Sequence, residues 1–370
     1  MMLPEREVLA LHREIVEIPS VSGDEEGLAD FLEAKLRHYR ARPERVGNSL
    51  LALAGEGPVL LLDTHLDTVP PAPGWTRDPW KVVPDGERIH GLGSNDAKAA
   101  VAGMIAAFAR CADAARRDGF RLLLLLTCQE EVGGKGAEAA LPELAARGLR
   151  PDAAVVGEPT SLDLAVAQKG LLVLELVAEG RAVHAAHGRA LGAPNAVRRL
   201  ARDLVALDGA DFGPDDPWLG PTTVEPTQVS GGVARNMIPP SATCLLDVRT
   251  NPSPDHERVT EVLRARVREA ELRVVSARLR PKATAPDAAV VRAARRARPE
   301  AKLFGSRGVS DWCFFECPTV KAGPGDTERS HTPDEWVAER DVARGAAFYE
   351  ALALAYAAEA ATEAVAGAAP

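Results

Sequence analysis

Val59-Leu60-Leu61-Leu62-Asp63-Thr64-His65-Leu66-Asp67 joins an unbroken apolar run to an imidazole and a carboxylate one residue apart. Consecutive aliphatic residues without polar alternation read as a strand buried on both faces, the kind found in parallel sheets covered by helices. His65 and Asp67 then stand just past its carboxyl end. The same arrangement recurs along the chain: Arg121 to Thr127 is followed by Glu130-Glu131, and Ala153-Ala154-Val155-Val156 by Gly157-Glu158. Asp96 closes the turn-like Gly91-Leu92-Gly93-Ser94-Asn95, and an alanine-rich helical stretch runs from Ala99 to Ala115. This alternation predicts an α/β domain with a central, mostly parallel sheet flanked by helices. In open sheets of that kind, ligands bind in the crevice beyond the carboxyl ends of the strands.

Any one of these acidic residues, taken alone, reads as a helix cap or a solvated charge. Their convergence at one sheet edge changes the reading, because five carboxylates and an imidazole gathered without cations would repel one another, and no Lys or Arg cluster stands beside them in the sequence. A pair of divalent cations resolves that repulsion. Imidazole and carboxylate donors without thiolate suit zinc, with cobalt or manganese as substitutes. Asp67 is placed to orient the His65 imidazole. Glu130 and Glu131 are adjacent, so one can face a metal and the other a water whose proton a carboxylate takes at neutral pH.

Leu9 to Val16 and Gly27 to Leu36 read as an opening pair of amphipathic helices. From Gly170 the pattern changes to a half-exposed strand (Leu171 to Ala178), a helix (Asn195 to Leu207), strands at Thr222 to Val229 and Ala242 to Arg249, a helix (Glu257 to Glu269) and a strand (Arg273 to Leu279). That β-α-β-β-α-β order predicts a ferredoxin-like α+β module. Residues 169–281 are therefore expected as an inserted domain, with 1–168 and 282–370 forming one discontinuous catalytic domain. The tail AAEAATEAVAGAAP is low in complexity and is expected to fray.

With 370 residues and 26% charged residues, the chain has the profile of an ordinary globular protein. Its net charge of -9 is spread without a long basic run, which argues against nucleic acid or a membrane surface and for a small solute. Five cysteines with no CxxC pair suggest neither a disulfide framework nor a thiolate zinc site. The first residues carry no apolar signal core and Leu122 to Leu126 is too short to span a bilayer, so a cytoplasmic location is expected.

The segments His65-Leu66-Asp67-Thr68-Val69-Pro70, Gly91 to Lys98, Thr127 to Gly134, Gly157-Glu158-Pro159-Thr160 and the late Gly323-Pro324-Gly325 to Ser330-His331-Thr332 resemble, in order, the di-metal peptidase family of acetylornithine deacetylase, succinyl-diaminopimelate desuccinylase and aminoacylase. The resemblance implies two divalent ions, zinc foremost with cobalt as an alternative. Asp96 would bridge them, His65 and Glu158 would complete one site, Glu131 and His331 the other, and Glu130 would be the general base. It also implies that the inserted domain is a lid and homodimer interface. Gly180-Arg181-Ala182-Val183-His184 is similar to a lid motif, which would send His184 into the neighbouring subunit's site to stabilise the oxyanion, with His187 as a competitor for that role. Gly231 to Pro239 and Asp247-Val248-Arg249 resemble further lid motifs, implying that Asn236 and Arg249 hold the substrate's α-carboxylate; the alternative for Arg249 is an ion pair with Asp247. Where the family has a glycine this chain has Ala99, which removes backbone freedom after Asp96.

Gly74 to Trp80 and Lys169 to Leu174 look most like the acetylornithine deacetylase branch, so N-acetyl-L-ornithine is the leading expected substrate, in arginine biosynthesis. Acetylcitrulline, succinylornithine, succinyl-diaminopimelate and dipeptides are the enzymatic alternatives. An inactive amino-acid or peptide-binding protein on the same fold is the alternative of another class, and a thiol or serine hydrolase on Cys128 or Ser310 lacks a base and orienting acid at recognisable spacing.

Overall fold

The computed structural model describes residues 3–367. It divides into two compact units, the first built from the chain up to Val166, Ala283–Phe304 and the chain from Ser310 onward, the second from Ala167–Lys282 and Gly305–Val309. The short segment 305–309 thus groups with the inserted unit, although the sequence placed it with the catalytic one.

The apolar run 59–62 lies in strand Val59–His65, buried at every position. Its side chains alternate between the two faces, so its leucines serve two cores. Leu60 and Leu62 join Leu122, Leu124 and Leu126 in one cluster, while Leu61 joins Leu123, Leu125 and Trp312 in another. This is why the run is apolar without alternation. Strands Glu44–Val46, Ser49–Gly55, Arg121–Thr127, Val59–His65, Ala153–Val156 and Thr319–Lys321 lie side by side in that order within a mixed sheet. Ser49–Gly55 pairs antiparallel with Arg121–Thr127, and the pairings from there to Thr319–Lys321 are parallel. The register sets His65 beside Thr127 and Lys321 beside Val156, so the loops after these strands leave from one edge.

Helices Glu5–Val16 and Glu26–His38 bury Val8, Leu11, Ile15 and Leu28, Leu32, Leu36, the spacing of one helical face. Helix Lys98–Asp118 is buried along its first three turns, where small residues let other elements approach closely: a Cβ on Gly103 would stand 3.2 Å from the Tyr349 ring. Ala99 is the second residue of this helix and fully buried, so the position needs none of the conformational freedom of the family's glycine. The expected fraying tail is helical as far as Gly367, and its residues 368–370 lie outside the described residues. Helix Glu339–Gly367 carries it, because alanine is the strongest helix former and Glu359 is tied down by Arg292 and Arg296.

The second unit has strands Gly170–Glu179, Thr223–Gly231, Ser241–Thr250 and Ala270–Leu279 and helices Ala196–Leu207 and His256–Arg266, in the β-α-β-β-α-β order of a ferredoxin-like module. Its four-stranded antiparallel sheet places Gly170–Glu179 between Ser241–Thr250 and Ala270–Leu279, with Thr223–Gly231 at an edge. Inward residues such as Leu172, Leu174, Leu246 and Val248 pack on Leu200 and Leu263 of the helices. Among the described residues no helix is long and apolar enough to cross a membrane.

Candidate metal centre and active site

The strand edge gathers the predicted donors of the first unit. His65, Asp96 and Glu158 bring ligand atoms within 4.8 Å of one another, and so do Asp96, Glu131 and His331. Asp96 belongs to both groups. His65 Nε2 lies 3.2 Å from Asp96 Oδ1, and His331 Nε2 lies 2.9 Å from Glu131 Oε1 and 3.8 Å from Asp96 Oδ2. A third group joins His65 with Glu130 and Glu131, so the expected base stands beside the expected ligands.

The loops are held by buried hydrogen bonds. Glu335, four residues after His331, accepts from the backbone N–H groups of Gly93 (3.0 Å), Asn95 (2.8 Å) and Asp96 (2.9 Å), which fixes the turn that delivers Asp96. That turn needs Gly93, whose φ is 76° and whose added Cβ would meet Thr68 at 2.6 Å. Asn95 exchanges two hydrogen bonds with the backbone of Asp326, joining the Asp96 loop to the segment before His331. Two non-glycine residues at the site, Gln129 and His331, take left-handed φ values of 55° and 59°, strained geometry of the kind concentrated at functional sites.

The Asp67 carboxylate lies 3.7 Å from His65 Nδ1, within ion-pair range but beyond a hydrogen bond. The His65 Nδ1 partner is the Asp67 backbone carbonyl at 2.9 Å. The Asp67 carboxylate instead accepts from the backbone N–H groups of Glu130 (3.0 Å) and Glu131 (3.1 Å) and from the Ser22 hydroxyl (2.6 Å). A residue two along a strand points to the same face as the first, and here the chain turns after His65, so the side chain reaches the neighbouring loop while the carbonyl meets the ring.

Electrostatics match a site built for cations. Burial, then the charge of Glu158, pushes the Glu130 carboxyl well above its ordinary range. Burial lifts Glu158 to about 7, against the opposing pull of Lys321. The hydrogen bond to Glu131 raises His331 to about 9. Burial opposes charge on His65, but its hydrogen bond to Asp96 and the charges of Glu130 and Glu158 outweigh that and raise it. Protons gather where positive charge is wanted, and the donor set is nitrogen and oxygen without thiolate, which fits two zinc-class ions sharing Asp96.

Sequence reasoning overlooked several groups here. Lys321 (4% exposed), on the strand beside Val156, is the cation near the cluster that no motif announced. Asp311 is buried, accepts from the Thr127 hydroxyl at 2.7 Å and is lifted to about 6 by its burial; its neighbour Ser310 had drawn notice only as a nucleophile. Glu335 stands three residues beyond the late motif and could have been found as the acid following His331-Thr332-Pro333-Asp334. Cys128 is buried, with its thiol pushed up by that burial, which leaves it protonated and unsuited to a nucleophile.

In the second unit His184 and Asn236 come together: Ala185 N–H donates to the Asn236 carbonyl at 2.8 Å, and His184 bridges to Met237. His184 Nδ1 accepts from the Ala186 N–H at 3.3 Å, which leaves the proton on Nε2 as an outward donor. His187 is also exposed, its ring centroid 5.7 Å from that of His184. Arg249 is elsewhere. The register pairs Arg249 with Leu171 and Ser241 with Glu179, so Arg249 and the Asn236 end are separated by about 25 Å of strand. Within one chain Asn236 and Arg249, the expected carboxylate-binding pair, therefore stand at opposite ends of the sheet. Arg249 forms a two-point ion pair with Asp247 at 2.7 and 3.0 Å, the alternative left open by the sequence. It also lines a cavity of about 510 Å³ with Lys169, Arg307 and Trp218.

Comparison with known proteins places these features in a family. Residues 61–355 match the family described as peptidase family M20/M25/M40. The chain is 30% identical to a succinyl-diaminopimelate desuccinylase of Sphingopyxis alaskensis over 93% of this chain and 97% of that protein. It is 35% identical to a probable carboxypeptidase of Aspergillus flavus over 71% of this chain and 65% of that one. A dinuclear metal-binding peptidase of the M20 family from Bacillus subtilis shares the fold, with a TM-score of 0.71 at 16% identity over 95% of this chain and 97% of that one. The motifs, the shared fold and the full-length match agree: this chain belongs to peptidase family M20/M25/M40 and is a metal-dependent hydrolase.

Proposed function

We propose that the protein hydrolyses the amide bond of an N-acyl amino acid, using two divalent ions held by His65, Asp96, Glu131, Glu158 and His331. The observation that carries this reading is the sharing of Asp96 between two donor groups with Glu130 alongside. Ions bound there would polarise the scissile carbonyl and lower the pKa of water. Glu130 takes the proton from the attacking water and returns it to the leaving amine. His184 of the partner subunit donates from Nε2 to the developing oxyanion. The unpaired edge strand Thr223–Gly231 and the exposed Val205 (71%) on the adjacent helix support a homodimer through the second unit, and the separation of Asn236 from Arg249 suits a site assembled from two chains.

For the substrate, the relatives' names move the balance away from acetylornithine and arginine biosynthesis. The desuccinylase similarity favours a succinylated diamino acid of lysine biosynthesis, and the cavity lined by Lys169, Arg249 and Arg307 suits its extra carboxylates better than a cationic ornithine side chain. A carboxypeptidase activity is the second reading, favoured by the fungal relative. The test is release of free amine from succinyl-diaminopimelate, succinylornithine, acetylornithine, acetylcitrulline and dipeptides by zinc- or cobalt-loaded protein. Turnover concentrated on succinyl-diaminopimelate is expected; cleavage of dipeptides alone would replace this reading with the peptidase one, and silence on every substrate would favour an inactive binding protein.

A further inference from the structure

The turn that carries Glu130 and Glu131 is gripped from outside by side chains of three distant segments. Four consecutive backbone N–H groups are each received by a buried side-chain oxygen. Cys128 N–H donates to Ser49 Oγ (3.1 Å), Gln129 N–H to Glu25 Oε1 (3.2 Å), Glu130 N–H to Asp67 Oδ1 (3.0 Å) and Glu131 N–H to Asp67 Oδ2 (3.1 Å). Glu25 and Asp67 are both completely buried. On its far side the turn closes on itself, with Gly133 and Gly134 N–H groups donating to the Glu130 carbonyl and Gly136 N–H to that of Cys128.

Successive backbone amides attract anions, and here three of the four are received by the protein's own carboxylates, the first by the Ser49 hydroxyl. The left-handed Gln129 turns the chain between the second and third amides of the row, so Glu25 and Asp67 divide the work. Glu25 accepts two further hydrogen bonds, from the Gly23 N–H at 2.7 Å and the Asn48 amide at 3.3 Å. Both backbone N–H groups meet Oε1 and the Asn48 amide meets Oε2, so a glutamine in its place removes the negative charge that strengthens these bonds, while the Asn48 amide can turn to accept from its NH₂.

We propose that Glu25, acting with Asp67, is a positioning residue for hydrolysis: it fixes the 128–131 backbone so that the adjacent side chains of Glu130 and Glu131 diverge to water and cation. This rests on the roles proposed above for those two residues. Glu25 touches neither substrate nor reacting atoms. Its effect passes entirely through the turn, and small misplacements of a catalytic group are costly in rate.

The test compares Glu25→Gln with Asp152→Asn, whose carboxylate makes the same kind of bond to the Val59 N–H (2.7 Å) at the opposite end of the strand that delivers His65. In folded, cobalt-loaded E25Q, kcat is expected to fall about 10- to 100-fold with KM within about twofold, and one cobalt ion to bind about tenfold more weakly. D152N should keep both values. Should E25Q not fold, Glu25→Asp keeps the charge while drawing the oxygen back from the Gln129 N–H, and a smaller loss in the same direction is expected. Wild-type kcat and cobalt affinity in whichever folded variant is obtained, or equal losses in D152N, would overturn the proposal. If the wild-type protein cleaves none of the substrates, the functional reading fails and this proposal with it; an active wild type beside an unaffected Glu25 variant overturns this proposal alone.

Discussion

His331 Nε2 lies 2.9 Å from Glu131 Oε1 although the two residues are 200 positions apart in the chain. The contact ties the late loop to the turn that also bears the proposed base, and both residues meet at Asp96. His331→Ala should therefore remove one ion and leave the other on His65, Asp96 and Glu158. Metal content of the dialysed variant should fall from two ions to one per chain, with activity down by at least the ~10- to 100-fold typical of losing even a supporting partner. Two ions retained at wild-type affinity would remove His331 from the ligand set.

Glu130 neighbours the ligands without being needed in either group that contains Asp96. Glu130→Gln should keep both ions and lose turnover by about 10²- to 10⁴-fold, the usual contribution of a general base. Parallel metal analysis and single-turnover kinetics check this; activity within tenfold of wild type would refute the assignment.

Glu158 and Glu335 are lifted to about 7 from an ordinary 4.5, chiefly by burial, and His331 to about 9 from 6.5, chiefly by its bond to Glu131. A pKa raised on folding gives stability that is complete below the unfolded value and is lost as pH rises through the folded one. Chelated protein should thus lose thermal stability between about pH 4.5 and 7 through the two carboxyl groups, and again between 6.5 and 9 through His331. Ions replace those protons, so the cobalt-loaded protein should hold its Tm over the same range and bind its metal more tightly as pH rises. Melting curves from pH 5 to 9 with EDTA or cobalt read this directly; parallel pH profiles for the two forms would contradict it.

Arg307 lines the cavity shared with Lys169 and Arg249 and was not singled out by any motif. If that cavity takes a substrate carboxylate, Arg307→Ala should raise KM for succinylated substrates about tenfold, the scale of one charged hydrogen bond. Acetylated substrates should be affected less than twofold. Equal effects on both would remove the cavity from substrate selection.

Much of the first unit was legible because one physical rule served twice. The unbroken apolar runs 59–62 and 122–126 mark strands buried on two faces, and the polar residues beyond them could only fall at the sheet edge. Local pattern could not say which atom of Asp67 would face His65, because that depends on how the chain turns after the strand. Glu25 and Lys321 were invisible for the opposite reason: each is a single residue whose partner is brought close only by the fold. In the second unit the motifs singled out His184, Asn236 and Arg249 as candidates, and only the strand register revealed that Arg249 lies at the other end of the sheet from Asn236.

Two ions meeting at Asp96 are the centre of the proposed chemistry. Chelated protein should be titrated with cobalt while binding and amine release are followed together. Two ions bound per chain, with turnover absent before metal and restored as they bind, is the predicted result. Full turnover in metal-free protein, or a single ion per chain at saturation with full turnover, would contradict it.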